Sequence, residues 1–251
     1  MIYINGDSNS AGAELVKDYC FANDDPRYLS RGRAAHPEAI PLTYGYKVAR
    51  ALNQGFLLDA ESASSNARIL RTTTDFLKNR NSANIIIIIG WTSWEREEWY
   101  YGNQWYQVTA GGTDIVPSEL EQEYKQWVVD QNTETLVRKE QFWHEEIFKL
   151  HSELNAANIR HIFFNSFSQF KNCEQKEWGE SFIAPYNSEF TFTNWLRNHG
   201  YKTVNNTSYH FGPDAHAAWA NFLLSRLTTV ENSTIIKTIK TKVKPYKPRK
   251  V

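Results

Sequence analysis

Apolar residues along this chain fall into short runs separated by longer amphipathic stretches. The first run, Met1 to Asn5, predicts a strand that stops at Gly6. From Leu42 to Asn53 the apolar positions Leu42, Tyr46, Val48, Ala49 and Leu52 recur at helical spacing, and the pattern ends before Gly55. Phe56 to Ala60 predicts a second strand. A Ser-rich turn, Ser62 to Ser65, leads into a helix with Ile69, Leu70, Phe76 and Leu77 on one side. Ala83 to Ile89 contains five consecutive isoleucines with no polar alternation, so both faces are expected to be buried. That is the pattern of a central strand in a parallel sheet covered by helices. Gly90 ends it.

Residues 91–116 are aromatic and turn-rich and read as an insertion. A helical pattern follows from about Pro117 to Asn155, with a break near Asn132. Ile159 to Asn165 is the next strand, and 166–190 reads as a second insertion. Phe192 to Asn198 is a short helix before Gly200. Asp214 to Leu227 is a closing helix with Trp219, Phe222, Leu223 and Leu227 on its apolar side. This alternation of strands and helices predicts an α/β sandwich with a mostly parallel sheet. A single domain is expected over residues 1–228, with 229–251 as an appended tail. The length of 251 residues and a hydrophobic content of 41% suit that reading.

Charge changes the picture only at one end. Acidic and basic residues balance at 28 each, so no global field draws the protein to nucleic acid or acidic lipid. The tail is different: Lys237, Lys240, Lys242, Lys244, Lys247, Arg249 and Lys250 occur there with no acid among them. With Tyr246 as the one aromatic in that run, specific nucleic-acid binding is not expected. A flexible or docking tail is, offering a contact for a homo-oligomer or a larger assembly. Cys20 and Cys173 make no disulfide framework and no metal-type pair, and read as thiols of a reducing compartment. The start of the chain lacks the pattern of a signal peptide, and the run Ile85 to Ile89 is too short to cross a bilayer. A cytoplasmic protein without a membrane span is expected. The glycosylation patterns at Asn205 and Asn232 therefore read as chance.

The chemistry is suggested by two distant segments. Gly6-Asp7-Ser8 follows the first strand directly, and the carboxyl edge of a parallel sheet is where such folds bind ligands. A serine is a weak nucleophile and needs a base within reach. Tyr209-His210-Phe211-Gly212-Pro213-Asp214 precedes the last helix and brings a histidine to the same edge, where it fits the role of base. His216, inside the helix, reads as structural.

In these motifs and in element order the chain resembles the SGNH or GDSL hydrolases, which include esterases, lipases, thioesterases and carbohydrate O-acetyl esterases. The resemblance implies a flavodoxin-like three-layer α/β/α sandwich and an acyl-enzyme formed on Ser8, with His210 as general base and no metal or organic cofactor. It implies an oxyanion hole built from the amides of Ser8 and Ala63. Ala63 stands in Ser62-Ala63-Ser64-Ser65-Asn66, where the family carries glycine. Gly90-Trp91-Thr92-Ser93 matches the third family block, with Thr92 replacing the oxyanion asparagine; its hydroxyl and Asn66 are the alternative donors. The family's acid precedes its histidine by three residues, and here Thr207 stands there. Support for the imidazolium is left to Asp7, to Asp214, to a backbone carbonyl, or to a bare Ser–His dyad. Trp91, Trp94 and Arg96 are placed in the substrate cleft together with Trp99, Tyr101 and Trp105, which suits a small-molecule or carbohydrate ester. The same aromatics also suit a packed lid or an oligomer interface. A rival reading keeps the fold as a catalytically weak or inactive binding module, part of a virion or another large assembly.

Overall fold

We describe a computed structural model for residues 1–16, 33–79, 84–111 and 116–242, with side chains to residue 228. Four parallel strands form the central sheet in the order β2-β1-β3-β6: β1 Ile2–Asn5, β2 Phe56–Leu58, β3 Ile86–Trp91 and β6 Arg160–Asn165. The registers Ile4↔Leu58, Asn5↔Ile89 and Trp91↔Asn165 bring the carboxyl ends of all four strands to one rim.

The isoleucine run fixes the layering. Successive strand residues point to opposite faces, so one strand feeds two cores. Ile2, Ile4, Ile88, Ile162 and Phe164 enter the first core. There they meet α2 (Tyr44–Ala51), α6 (Phe192–Asn198) and α7 (Pro213–Lys242) through Tyr44, Val48, Phe192, Leu196, Trp219 and Leu223. Tyr3, Ile87, Ile89, Trp91 and Phe163 enter the second. There they meet α3 (Asn66–Lys78) and α5 (Thr133–Ala156) through Ile69, Ile147, Leu150 and Leu154. The result is a three-layer α/β/α sandwich. Helix starts follow the local chemistry: Thr43, Ser65, Asn132 and Thr191 each accept a backbone N–H in the first turn of the helix they cap. Asn132 also marks the break between α4 (Glu121–Val129) and α5.

The aromatic insertion holds a β-hairpin, β4 Glu97–Tyr101 and β5 Gln104–Val108. Its two-residue turn has Gly102 at φ 57° and Asn103 at φ 66°. Two positive φ values make the type I′ geometry that matches strand twist. Val108 packs with Tyr124 and Trp127 of α4, and Trp99 meets Trp127 edge-on at 6.1 Å. Tyr100, Tyr101 and Trp105 stay exposed. In the second insertion Phe182 bridges in parallel to Phe163, extending the β6 edge. The closing helix runs past residue 228 to Lys242. Cys20 and the segment 243–251, which holds Lys244 to Lys250, lie outside the described residues. Among the described residues no helix is long and apolar enough to cross a membrane.

Candidate active site

The strand order places a change of direction between β1 and β3, the position where doubly wound sheets open a crevice at the carboxyl edge. Ser8 follows β1 and Thr92 follows β3, one on each side of it.

Local sequence dictates the shape of the first turn. Asn5 ends β1 with its carboxamide buried: Oδ1 accepts from Gly6 N at 2.8 Å, and Nδ2 donates to Thr72 Oγ1 at 2.8 Å. Gly6 has φ 152°, and a Cβ there would lie 2.2 Å from Ser10 Oγ and 2.9 Å from Gly90 O. Only glycine fits. Asp7 is fully buried and caps α1 (Ser8–Ala11) by accepting from Asn9 N at 3.0 Å. Ser8 is thus the first residue of α1, 7% exposed. Ser10 Oγ bonds Tyr44 OH at 2.7 Å and ties α1 to α2.

The opposite wall comes from the segment before α7. Thr203 bridges Phe211, and Val204 N donates to His210 O at 3.0 Å, so the chain folds back on itself there. Phe211 is fully buried against Phe192, which anchors the residue next to His210 in the first core. His210 Nε2 lies 2.8 Å from Ser8 Oγ, and His210 Nδ1 lies 2.8 Å from Glu14 Oε2. The Glu14 carboxylate and the His210 ring are largely buried, their side chains 7% and 14% exposed. Glu14 Oε2 also accepts from Ser208 Oγ, and Ser208 Oγ accepts from His210 N at 2.9 Å. A hydroxyl, an imidazole and a carboxylate therefore stand in one hydrogen-bonded row. With Nδ1–H donated to the carboxylate, Nε2 presents its lone pair to the hydroxyl. That arrangement can take a proton from Ser8 and hold the charge opposite Glu14.

Glu14 was not among the sequence expectations. The expected acids lie elsewhere. Asp214 is exposed in the first turn of α7, where a negative charge suits the helix dipole. Asp7 faces the other way from the imidazole row: its Oδ2 accepts from Thr92 Oγ1 at 2.9 Å and lies 3.8 Å from Arg96 Nη1. Thr207 is exposed and folded onto Asn205. The sequence carries only a slight mark of Glu14, which went unread: it is the sole acid between Ser8 and Lys17.

The residues expected to hold an oxyanion are engaged differently from expectation. The Thr92 hydroxyl is spent on Asp7, and Thr92 N donates to Asn66 Oδ1 at 2.9 Å. Asn66 Nδ2 donates to Thr92 O at 3.2 Å, which leaves the second N–H of that carboxamide. Ala63 sits in the turn before α3 at φ 64°. Arg96 reaches this turn, with Nη1 3.5 Å from Ser64 O and its guanidinium 5.4 Å from the Phe167 ring centroid. Trp91 and Trp94 do not line a cleft. Trp91 continues the inward alternation of β3 and meets Phe163 edge-on at 5.5 Å in the second core; Trp94 stacks on Phe170 at 4.7 Å. Among the described residues Phe167 and Tyr209 stand at the rim, the latter 69% exposed beside His210.

His216 is buried, stacks on Tyr44 and accepts from Tyr44 N at 3.2 Å through Nδ1; burial pushes it down to about 3. Among the described residues no group of three or more His, Cys, Asp or Glu side chains could hold a metal ion.

No family model matches this chain, and no curated protein matches it. Among solved structures, a carbohydrate esterase whose active site is described as having divergent catalytic and non-catalytic binding functions is similar at a TM-score of 0.39 and 16% identity. The alignment covers 91% of this chain and 64% of that one, so this chain spans less than two thirds of that protein's length.

Proposed function

We propose that this protein is a serine ester hydrolase of SGNH type that works through an acyl-enzyme on Ser8. The observation that carries the reading is the row Ser8 Oγ, His210 Nε2, His210 Nδ1 and Glu14 Oε2, with 2.8 Å at each contact between side chains. Ser8 Oγ attacks the ester carbonyl carbon while His210 Nε2 takes its proton. The imidazolium is stabilised by the Glu14 carboxylate. The tetrahedral intermediate collapses, and His210 returns the proton to the departing alcohol. A water molecule then attacks the acyl-enzyme with His210 again as base, releasing the acid and restoring Ser8.

The negative oxygen is held by the amides of Ser8 and Ala63, with the remaining Asn66 N–H as a further donor. Thr92 is not assigned this role, because its hydroxyl proton goes to Asp7. Short acyl esters are the substrate class, with acetylated carbohydrate preferred; the rim residues Arg96, Phe167 and Tyr209 supply donors and flat apolar surface for a ring with hydroxyls. The Ser–His–acid row weighs against the rival reading of an inactive binding module, since a module released from catalysis has no need of a carboxylate behind a histidine.

The test is direct. Wild type and Ser8→Ala are incubated with a fluorophosphonate probe and with p-nitrophenyl acetate. Stoichiometric labelling and turnover that both vanish in the variant are expected. A folded wild type that neither labels nor turns over would sink the esterase and leave the binding module standing.

A further inference from the structure

The turn between β2 and α3 is held from outside by the hairpin insertion. Ala63 occupies the left-handed region at φ 64°, which a residue with a Cβ resists. Its neighbours are pinned one after another. Ser64 O accepts from Arg96 Nη1. Ser65 N and Ser65 Oγ both donate to Gln107 Oε1, at 2.9 and 3.0 Å. Asn66 exchanges two hydrogen bonds with the backbone of Thr92.

Gln107 is the centre of this clamp. It is buried, and its Nε2 donates to Glu98 Oε1 at 2.7 Å. Glu98 takes a bidentate pair from Arg71, at 2.9 and 2.6 Å, and the Arg71 guanidinium lies 4.7 Å from the Trp105 ring centroid. A continuous polar chain thus runs from the exposed side of the hairpin inward to the turn: Trp105, Arg71, Glu98, Gln107, Ser65. Burying an amide and a carboxylate is costly unless every group is partnered, and here each finds its partner. Simple packing of a hairpin on α3 would not require such a chain.

We propose that Gln107 is a positioning residue for ester hydrolysis: acting through Ser65, it keeps the Ser62–Asn66 turn in the strained conformation that presents the Ala63 amide to the acyl oxyanion. The proposal rests on the esterase reading given above. Without the clamp the turn relaxes from its left-handed conformation and the amide leaves its place. The transition state then loses a donor, whereas the bound ester, whose carbonyl carries little charge, is affected far less. The expected signature is a fall in kcat with KM nearly unchanged.

The experiment compares wild type, Gln107→Met and the double variant Gln107→Met/Ala63→Gly. Turnover is measured with p-nitrophenyl acetate, folding by thermal melting, and the intact nucleophile by endpoint labelling with a fluorophosphonate. Gln107→Met keeps the side-chain volume but loses the amide; kcat is expected to fall ~10- to 100-fold, with KM within about twofold and Ser8 still labelled to the same endpoint. Ala63→Gly is expected to recover at least about threefold of that loss, because glycine adopts a positive φ without strain. A kcat for Gln107→Met within about twofold of wild type overturns the proposal. So does a loss that glycine at position 63 fails to recover. If Gln107→Met does not fold, Ser65→Ala, which loses the hydroxyl and keeps the backbone N–H hydrogen bond to Gln107 Oε1, should lower kcat roughly threefold at constant KM, and an unchanged kcat overturns the proposal. A wild type without Ser8-dependent turnover rejects the esterase itself, a result distinct from turnover that ignores Gln107.

Discussion

Two rows of hydrogen-bonded side chains in this protein run through a histidine, and they are built for opposite ends. At the rim, His210 stands between a hydroxyl and a carboxylate, Ser8 and Glu14. Below the sheet, His161 stands between a carbonyl and a second imidazole: Nδ1 is 2.9 Å from Ile159 O, Nε2 is 2.8 Å from His151 Nδ1, and His151 Nε2 is 2.9 Å from Asn155 Nδ2. A carbonyl only accepts, so His161 must carry its proton on Nδ1. It then accepts from His151, which in turn accepts from Asn155. Every site is filled and both rings are neutral. A second proton on either ring would break a bond and find no acid facing it, and burial accordingly pushes His161 down to about 4 and lowers His151 as well. Distances near 2.8 Å occur in both rows, so distance alone does not mark chemistry. The distinction lies in the groups at the two ends. One row can pass a proton and accommodate the resulting charge, and the other is closed.

The sharpest way to break this contrast is to remove the charge at the rim and keep the shape. Glu14→Gln retains an oxygen that can accept from Nδ1–H but offers no negative charge to an imidazolium. Turnover of p-nitrophenyl acetate is expected to fall roughly 10²- to 10⁴-fold, with KM and thermal stability little changed. A kcat within threefold of wild type would show that Ser8 and His210 act as a dyad and that Glu14 is only a tether.

Most of the layered fold was legible in the chain, because strand and helix periodicity are local. The unbroken isoleucines of β3 announced a strand covered on both faces, and Asn132 announced the break between α4 and α5. The placement of Ser8 and His210 at one rim followed from element order. Glu14 was not legible. It is joined to His210 across a sequence separation of 196 residues, and it comes from the loop after the nucleophile, not from the segment before the base. No periodicity reports such a contact. Trp91 misled for a different reason: proximity in sequence to the rim suggested a cleft, but the alternation of β3 carries on through residue 91 and turns the ring into the second core. The hairpin was read only as a turn-rich insertion, although Gly102-Asn103 is a pair suited to the two positive φ values of its turn.

Acid should test the buried histidines next. His161 and His216 are pushed down to about 4 and about 3, and an unfolded histidine titrates near 6.5. Between those values the unfolded chain binds more protons than the folded one. The contribution of these groups to stability is therefore complete above about pH 6.5 and is lost as pH falls toward 4, with a slope of up to about 1.4 kcal/mol per pH unit for each group. Chemical denaturation at pH 7 and pH 4.5 should show the fall. His161→Gln should flatten it by about one proton's worth, and its turnover at pH 8 should stay within about twofold of wild type. A variant at position 161 that is stable but inactive would erase the contrast between the two rows.

A smaller effect is expected from the support behind the carboxylate. Ser208 donates to Glu14 and accepts from His210 N, so it links the acid and the base outside the row itself. Ser208→Ala leaves the charge in place and removes one orienting bond at each end. A net hydrogen bond contributes about 1 kcal/mol, which corresponds to roughly a fivefold loss in kcat, and Ser208→Thr should restore most of it. Equal kcat values for the alanine variant and wild type would mean that the backbone around Glu14, held at φ 64°, orients the carboxylate unaided.

The least effect belongs to Asp214, one of the two acids that the sequence offered as support for the base. Asp214 lies four residues after His210 and is exposed in the first turn of α7, with His210 already satisfied at both nitrogens. Its carboxylate is exposed to solvent, where screening is strong. What it does supply is a favourable interaction with the amino end of a long helix, ~0.3–1 kcal/mol. Asp214→Asn should therefore leave kcat and KM within about twofold and lower thermal stability slightly, with the shift shrinking in high salt. If the asparagine variant instead lost turnover to the extent expected of Glu14→Gln, the acid behind the base would be the one nearest in sequence, and the carboxylate that reaches His210 from the far end of the chain would be structural.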